Sequence, residues 1–174
     1  KMMNDLINNT IKSILGSDTI QIDDSAILTV PVHSIAFTTD SYTITPIEFS
    51  GGTIGSLAVN GTVNDLAVMG AVPRFISCAL ILEEGLPIET LKRILISMKE
   101  AALKAGVAIV TGDTKIVPRG KGDCIYINTA GIGTVESSVQ RRPIVSGDSI
   151  IINGTIGDHG TAIMALRNNL SFSK

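Results

Sequence analysis

The chain has 174 residues, 44% of them hydrophobic and 17% charged, which suits a globular domain with a real core and excludes a disordered chain. The net charge of −2 and an aromatic content of 3% exclude the basic stripe and stacking platforms of a nucleic-acid binder. Mean hydropathy is +0.37, yet no apolar run approaches the roughly 18 residues of a spanning helix and no signal-peptide core opens the chain, so a cytoplasmic protein without a membrane partner is expected.

Met3, Leu6, Ile7, Ile11, Ile14 and Leu15 recur at helical spacing and Gly16 follows as a stop. Ala26 to Val30 and Ser34 to Thr39 read as strands joined at Pro31-Val32-His33, with no role assigned to His33. Thr53 to Met69 is written in small residues and reads as a closely packed helix, with Gly70 as its cap. Arg74 to Leu82 reads as a strand. Pro87 to Ala105 is the clearest helix, with an apolar stripe of Ile88, Leu91, Ile94, Leu95, Met98, Ala101 and Ala102, closed by Gly106. Val107 to Thr111 and Cys124 to Val135 read as strands around an exposed turn over Arg119 to Asp123.

Glu136 to Pro143 reads as a linker. A strand from Asp148 to Asn153 and a helix from Gly160 to Asn168 follow, and they form either an appendage of a first domain over 1–142 or the opening of a second over 143–174. One strand and one helix cannot bury their own faces. Cys78 and Cys124 form no C-x-x-C and, with two histidines, no zinc set. Both lie in apolar runs and are expected as buried, reduced thiols.

Four acidic positions stand out by context: Asp23-Asp24 before the first strand, Asp40 at the end of the second, Asp65 inside the small-residue helix, and Asp113 after the strand ending at Thr111. Carboxylates at strand ends can converge on one sheet edge, and such a set suits a hard cation that keeps waters for substrate phosphates. Asn64 and Thr114 offer neutral oxygens and Lys115 a phosphate charge. The same aspartates also serve as turn formers and helix caps, and Asn60, Gly61 and Asn64 can make Asp65 part of an ordinary polar helix edge. No P-loop, G-x-G-x-x-G or G-x-S-x-G occurs; Gly131-Ile132-Gly133 fails where Glu136 stands. Gly51-Gly52 and the loop Gly154 to Gly160 can present backbone N–H groups to an anion or form plain turns. His159, in the latter loop, is a weak acid–base candidate.

The ordered strings Asp23-Asp24-Ser25-Ala26, Thr38-Thr39-Asp40, Asn64-Asp65-Leu66-Ala67-Val68-Met69-Gly70-Ala71 and Gly112-Asp113-Thr114 resemble the ATP-binding half of the PurM-like superfamily. Phe49-Ser50-Gly51-Gly52-Thr53-Ile54-Gly55, Ile81-Leu82-Glu83-Glu84-Gly85-Leu86-Pro87, Val110-Thr111-Gly112-Asp113-Thr114-Lys115 and Gly157-Asp158-His159-Gly160 narrow the resemblance to the HypE family of hydrogenase maturation factors. The resemblance implies an α/β (α+β) fold with a mainly antiparallel sheet packed against helices, plus the first strand and helix of an incomplete C-terminal domain. It also implies ATP-dependent dehydration of a C-terminal cysteine thiocarboxamide to a thiocyanate, the source of cyanide for the iron of [NiFe]-hydrogenase.

Carried over by position, Asp24, Asp40 and Asp65 would hold Mg²⁺, with Asp23 as a substitute for Asp24. Thr39, Asn64, Gly112, Asp113, Thr114 and Lys115 would line the ATP site. A homodimer is implied, together with other maturation proteins, a carbamoyltransferase and the iron-scaffold complex. The family's histidine-glycine-rich phosphate loop and its Pro-Arg-Ile-Cys tail have no match here, and neither Cys78 nor Cys124 fits the tail's cysteine. The chain is therefore expected to lack turnover on its own. Two alternatives stand beside this reading: another PurM-like ATP-dependent kinase or synthetase, and a non-catalytic dimerisation or docking module.

Overall fold

The computed structural model describes residues 10–15, 34–135, 144–168 and 170. The expected strand at Ala26 to Val30, the turn after it, the linker over 136–143 and most of the first helix lie outside the described residues. Of that helix, α1 (Lys12–Leu15) is described, and Ile11 and Ile14 rest against the core.

Four strands form the main sheet in the order β1 (Ile35–Tyr42), β6 (Ile125–Val135), β4 (Ala71–Glu83), β5 (Ala108–Val117). β6 runs antiparallel to both β1 and β4, and β4 runs parallel to β5. The sheet is thus mainly antiparallel, as expected. The one parallel pair is joined by a helix, which is the connection such a pair requires. A two-residue hairpin, β2 (Glu48–Phe49) and β3 (Gly52–Thr53), turns at Gly51 with φ 92° and leads into the first long helix.

That helix is α2 (Ile54–Val68). Thr53 caps it: its hydroxyl accepts from the Gly55 and Ser56 amides, and Ser56 Oγ accepts from the Thr53 amide, satisfying donors that a helix start leaves open. Helix α3 (Ile88–Ala105) ends at Gly106 in the left-handed region with φ 67°. Its Leu91, Ile94, Leu95 and Met98 are fully buried against Ile76, Cys78, Leu80 and Leu82 of β4 and Ile125 and Ile127 of β6. Gly55 lets the two helices approach closely, because a Cβ there would run into the Ile94 carbonyl and lie 3.0 Å from Ile94 Cγ2. Both helices share one sheet face. On the other, Phe37 and Ile35 of β1 and Ile81 of β4 stand open, Phe37 at 67% exposure.

Helix α4 (Asp158–Arg167) is tied to the rest by the Arg167 Nε donating to the Thr45 carbonyl at 2.8 Å, by His159 edge-on to Phe49, and by buried Ile163. No helix among the described residues is long and apolar enough to cross a membrane.

Four expectations need correction. Asp148 to Asn153 is irregular rather than a strand, with Ile150 94% exposed; no described strand lies beside it, and extended chain gains its hydrogen bonds only by pairing. Strand β5 continues past Thr111 to Val117 because β4 carries parallel pairing that far, so Asp113 lies inside a strand rather than after one. Strand β4 begins at Ala71, with its pairing to β6 shifting register between Pro73 and Phe75, where a proline cannot donate to the ladder. Cys124 is exposed rather than buried, at φ 72° in the turn before β6, whereas Cys78 is buried, its thiol pushed up to about 12 by burial and donating to Met98 Sδ at 3.7 Å.

Gly55→Ala is expected to destabilise the fold by about 1–3 kcal/mol through overpacking against a backbone carbonyl that cannot withdraw. Urea unfolding checks this. A lower midpoint at unchanged slope is expected, and an unchanged midpoint would contradict the close helix contact.

Candidate functional site

Alternation along β1 places Thr38, Asp40 and Tyr42 on the face that α2 covers. The register confirms it, because Asp40 pairs with Thr129, whose buried hydroxyl meets Thr62 of α2 at 2.5 Å. From α2, Asp65 reaches the same place: Thr38 Oγ1 donates to Asp65 Oδ2 at 3.0 Å. Asp40 accepts from the Ser41 amide at 2.7 Å, and its carbonyl accepts from Asn128 Nδ2 at 3.0 Å. Each carboxylate keeps one oxygen outside these bonds. Asn64 is exposed beside Asp65 on the polar edge of the helix. Asp65 is exposed too, so the charge carries little burial cost.

Tyr42 is the unusual member. It is 8% exposed, and its hydroxyl is buried with no hydrogen-bond partner among the described residues. Thr62 and Asp40 lie within loose hydrogen-bond reach of the phenol, and Asp65 adds its charge. Gly61 makes room for it, since a Cβ at 61 would collide with the hydroxyl and lie 3.0 Å from Tyr42 Cζ. Burial above all holds the phenol above its usual value; hydrogen bonding with Thr62 opposes it, and hydrogen bonding with Asp40 and then the charges of Asp40 and Asp65 add to it. A buried hydroxyl left unpaired costs about 1–3 kcal/mol.

The other expected residues lie elsewhere. Thr39 points to the open sheet face and donates to the Thr129 carbonyl at 3.0 Å. Along the level Asp40, Thr129, Cys78, Gly112, strand β5 is three strand spacings from β1, about 14 Å. Gly112 packs its backbone against the Cys78 carbonyl. Thr114 pairs with Leu80 on the helix-covered face, while Asp113 and Lys115 alternate onto the open one. Lys115 Nζ lies 2.8 Å from the Asp113 carboxylate and holds it below the usual carboxylate range. The structure therefore joins Asp40 and Asp65 and keeps Asp113 and Lys115 apart from them. Asp23 and Asp24 lie outside the described residues.

Near the next turn, the Glu83 carboxylate accepts from the Cys124 amide at 2.9 Å and from the Gly120 amide, and these bonds hold it below its usual range. Gly51, Gly52, Ser56, Asn60, Ser97 and Glu100 border an open groove of about 550 Å³ between the hairpin, α2 and α3. A second groove beside it reaches His159. The expected loop from Gly154 ends at Gly157, because α4 begins at Asp158 and takes in His159 and Gly160; the stretch is exposed, and Thr155 donates to Asp158.

Among the described residues, no three acidic, histidine or cysteine side chains converge as a metal cluster. The Asp40–Asp65 edge nevertheless fits Mg²⁺, which takes one or two carboxylates and leaves positions for water and phosphate. The donors are hard oxygens, and both carboxylates are exposed. Sequence reasoning missed Tyr42. The signal was available in the period of two from Asp40 and in Gly61, one helical turn before Asp65.

The comparisons bear on this geometry. Carbamoyl dehydratase HypE of Escherichia coli K12 is 52% identical over 149 residues, 84% of this chain and 44% of that protein. A crystal structure of the hydrogenase maturation protein HypE in complex with ATP superposes with a TM-score of 0.91 at 45% identity, covering 99% of this chain and 52% of that one. A HypE–HypF complex superposes at 0.76 with 46% identity, over 97% of this chain and 55% of that one. The chain spans about half the length of the curated relatives it matches. Its residues 22–135 match the model of the AIR synthase related protein N-terminal domain, a stretch that holds β1 through β6 and both carboxylates, and the chain belongs to that family.

Proposed function

We propose that this chain is the nucleotide-binding half of an ATP-dependent carbamoyl dehydratase that serves [NiFe]-hydrogenase maturation in the cytoplasm. Residues 143–174 begin its second domain. The similarity to HypE proteins supports the reaction class. The observation that carries the site is the Thr38–Asp65 bond, which brings Asp65 of α2 beside the strand that bears Asp40, with both carboxylates near Tyr42.

The reaction converts a thiocarboxamide on a C-terminal cysteine of the complete protein to a thiocyanate. The γ-phosphoryl group of ATP passes to the amide oxygen and ADP leaves. Cleavage of the carbon–oxygen bond then releases inorganic phosphate as the nitrogen gives up its protons, leaving a carbon–nitrogen triple bond. The protein has lost the elements of water. Magnesium supplies charge neutralisation on the phosphates when bound. Asp40 and Asp65, with Asp24, would hold it, and Asn64 would stand beside them for the nucleotide. Phosphoryl transfer asks mainly for positioning and electrostatic stabilisation, which a carboxylate edge supplies without a P-loop.

Asp113, Thr114 and Lys115 would join the nucleotide site from the opposite sheet edge. Lys115 carries a cation to the open face, where Phe37, Ile35 and Ile81 lie uncovered. A second copy of the chain covers that face in this reading, since monomers seldom expose contiguous apolar patches. A carbamoyltransferase and the iron-scaffold complex would be the further partners, in line with the HypE–HypF complex.

Two outcomes follow. Full-length protein carbamoylated at its terminal cysteine is expected to lose the mass of one water on addition of Mg-ATP, with matching phosphate release, and Asp65→Ala to slow this about 100-fold or more. Intact mass spectrometry reads both. Phosphate release without the mass change, or an unaffected Asp65→Ala, would contradict the reading. Sedimentation is expected to find a dimer that Phe37→Asp converts to monomer; a monomeric wild type at high micromolar concentration would remove the dimer.

A further inference from the structure

We infer that Asn153 is a site of spontaneous covalent modification in this chain: its side-chain amide is lost to attack by the Gly154 backbone nitrogen, and the product is isoaspartate or aspartate. The inference involves neither nucleotide nor cation and stands apart from the reading above.

The sequence holds two Asn-Gly pairs, Asn60-Gly61 and Asn153-Gly154. Both asparagines are exposed, so access to water does not distinguish them. The backbone does. Asn60 and Gly61 lie inside α2, where the Gly61 amide is spent on the helical ladder and held away from the Asn60 side chain. The Tyr42 hydroxyl packs against Gly61 as well, since a Cβ there would collide with it. Asn153 and Gly154 instead form a bend in the irregular stretch before α4. Among the described residues nothing hydrogen-bonds the Asn153 side chain or the Gly154 amide, and a Cβ at 154 would meet only open space.

Glycine carries no Cβ, so this segment reaches conformations that bring the Gly154 nitrogen onto Asn153 Cγ. Loss of the amide proton to solvent base makes that nitrogen nucleophilic. A bond forms between it and Cγ, the Cγ–Nδ2 bond breaks, and the amide nitrogen leaves as ammonia with a proton from water. The product is a cyclic succinimide, which water then opens. Addition of water at Cγ restores the original main chain and gives aspartate. Addition at the main-chain carbonyl carbon of residue 153 leaves the chain running through Cγ, which is isoaspartate, with an extra methylene in the backbone. Water is the one co-reactant, and nothing is oxidised or reduced. Either product puts a negative charge just ahead of Thr155, which donates to Asp158 at the start of α4.

The test holds this chain in mildly alkaline buffer, folded and in urea, and follows both asparagines by peptide mapping with mass spectrometry. Conversion reads as a side-chain NH₂ replaced by OH, and isoaspartate is identified by its methylation with an isoaspartyl carboxyl methyltransferase. In the folded chain, conversion is expected to be at least about 100-fold faster at Asn153 than at Asn60, because the helix must first open locally around Asn60. In urea the two rates are expected to converge. Gly154→Ala places its methyl in open space and leaves the fold unchanged, and it is expected to suppress conversion at Asn153. An Asn153 that stays intact in the folded chain yet converts in urea would overturn the inference. So would equal rates at Asn60 and Asn153 in the folded chain, or a Gly154→Ala chain that converts as fast as wild type.

Discussion

The close seating of helix α2 on strands β1 and β6 determines where every group of the candidate site stands. Asp65 sits on the polar edge of a helix whose buried face, Ile54, Ala58, Val59, Thr62 and Leu66, is fixed by the core. Thr62 reaches Thr129 only because helix and sheet lie within hydroxyl contact. Thr38 reaches Asp65 for the same reason. Two carboxylates from distant stretches of sequence are thereby brought to one edge without either being buried, so their repulsion is moderated by solvent. Absent glycine Cβ atoms permit this seating, at Gly55 against α3 and at Gly61 against Tyr42.

The arrangement also separates two kinds of surface. One sheet face is closed by α2 and α3 and ends in the acidic edge around Asp40. The other is open and carries Phe37, Ile35 and Ile81, with the Lys115–Asp113 pair on its far strand. A nucleotide binder needs both negative groups to hold magnesium and positive groups for phosphate. In one copy of this sheet they lie on different edges and different faces. That separation is the physical argument for a site completed by something beyond a single sheet, which the proposed second copy supplies.

Much of this was legible in the sequence. The long helices were readable because their stop signals are local: Gly70 and Gly106 follow them, and the Leu91-Ile94-Leu95-Met98 stripe is a direct consequence of helical period. The acidic positions were readable as motifs, but not their grouping. Which side of the sheet a strand residue faces depends on register, and a single-residue slip reverses it. Asp113 illustrates this, since its strand extends past Thr111 only because β4 offers it a parallel partner. The irregular stretch at Asp148 to Asn153 failed for the converse reason: apolar sequence without a neighbouring strand. Cys124 escaped because its apolar neighbours begin one residue later, at Ile125, while its own amide is drawn to Glu83.

In the proposed function, the cation and the nucleotide phosphates gather at the Asp40–Asp65 edge. The most direct test is paramagnetic broadening of backbone amide signals of this chain by substoichiometric Mn²⁺, which shares the oxygen-ligand preference of Mg²⁺. Broadening is expected to centre on Thr38 to Tyr42 and Gly61 to Asp65 and to be relieved by excess Mg²⁺. Broadening centred on Asp113 to Lys115, or spread evenly over the surface acids, would contradict it.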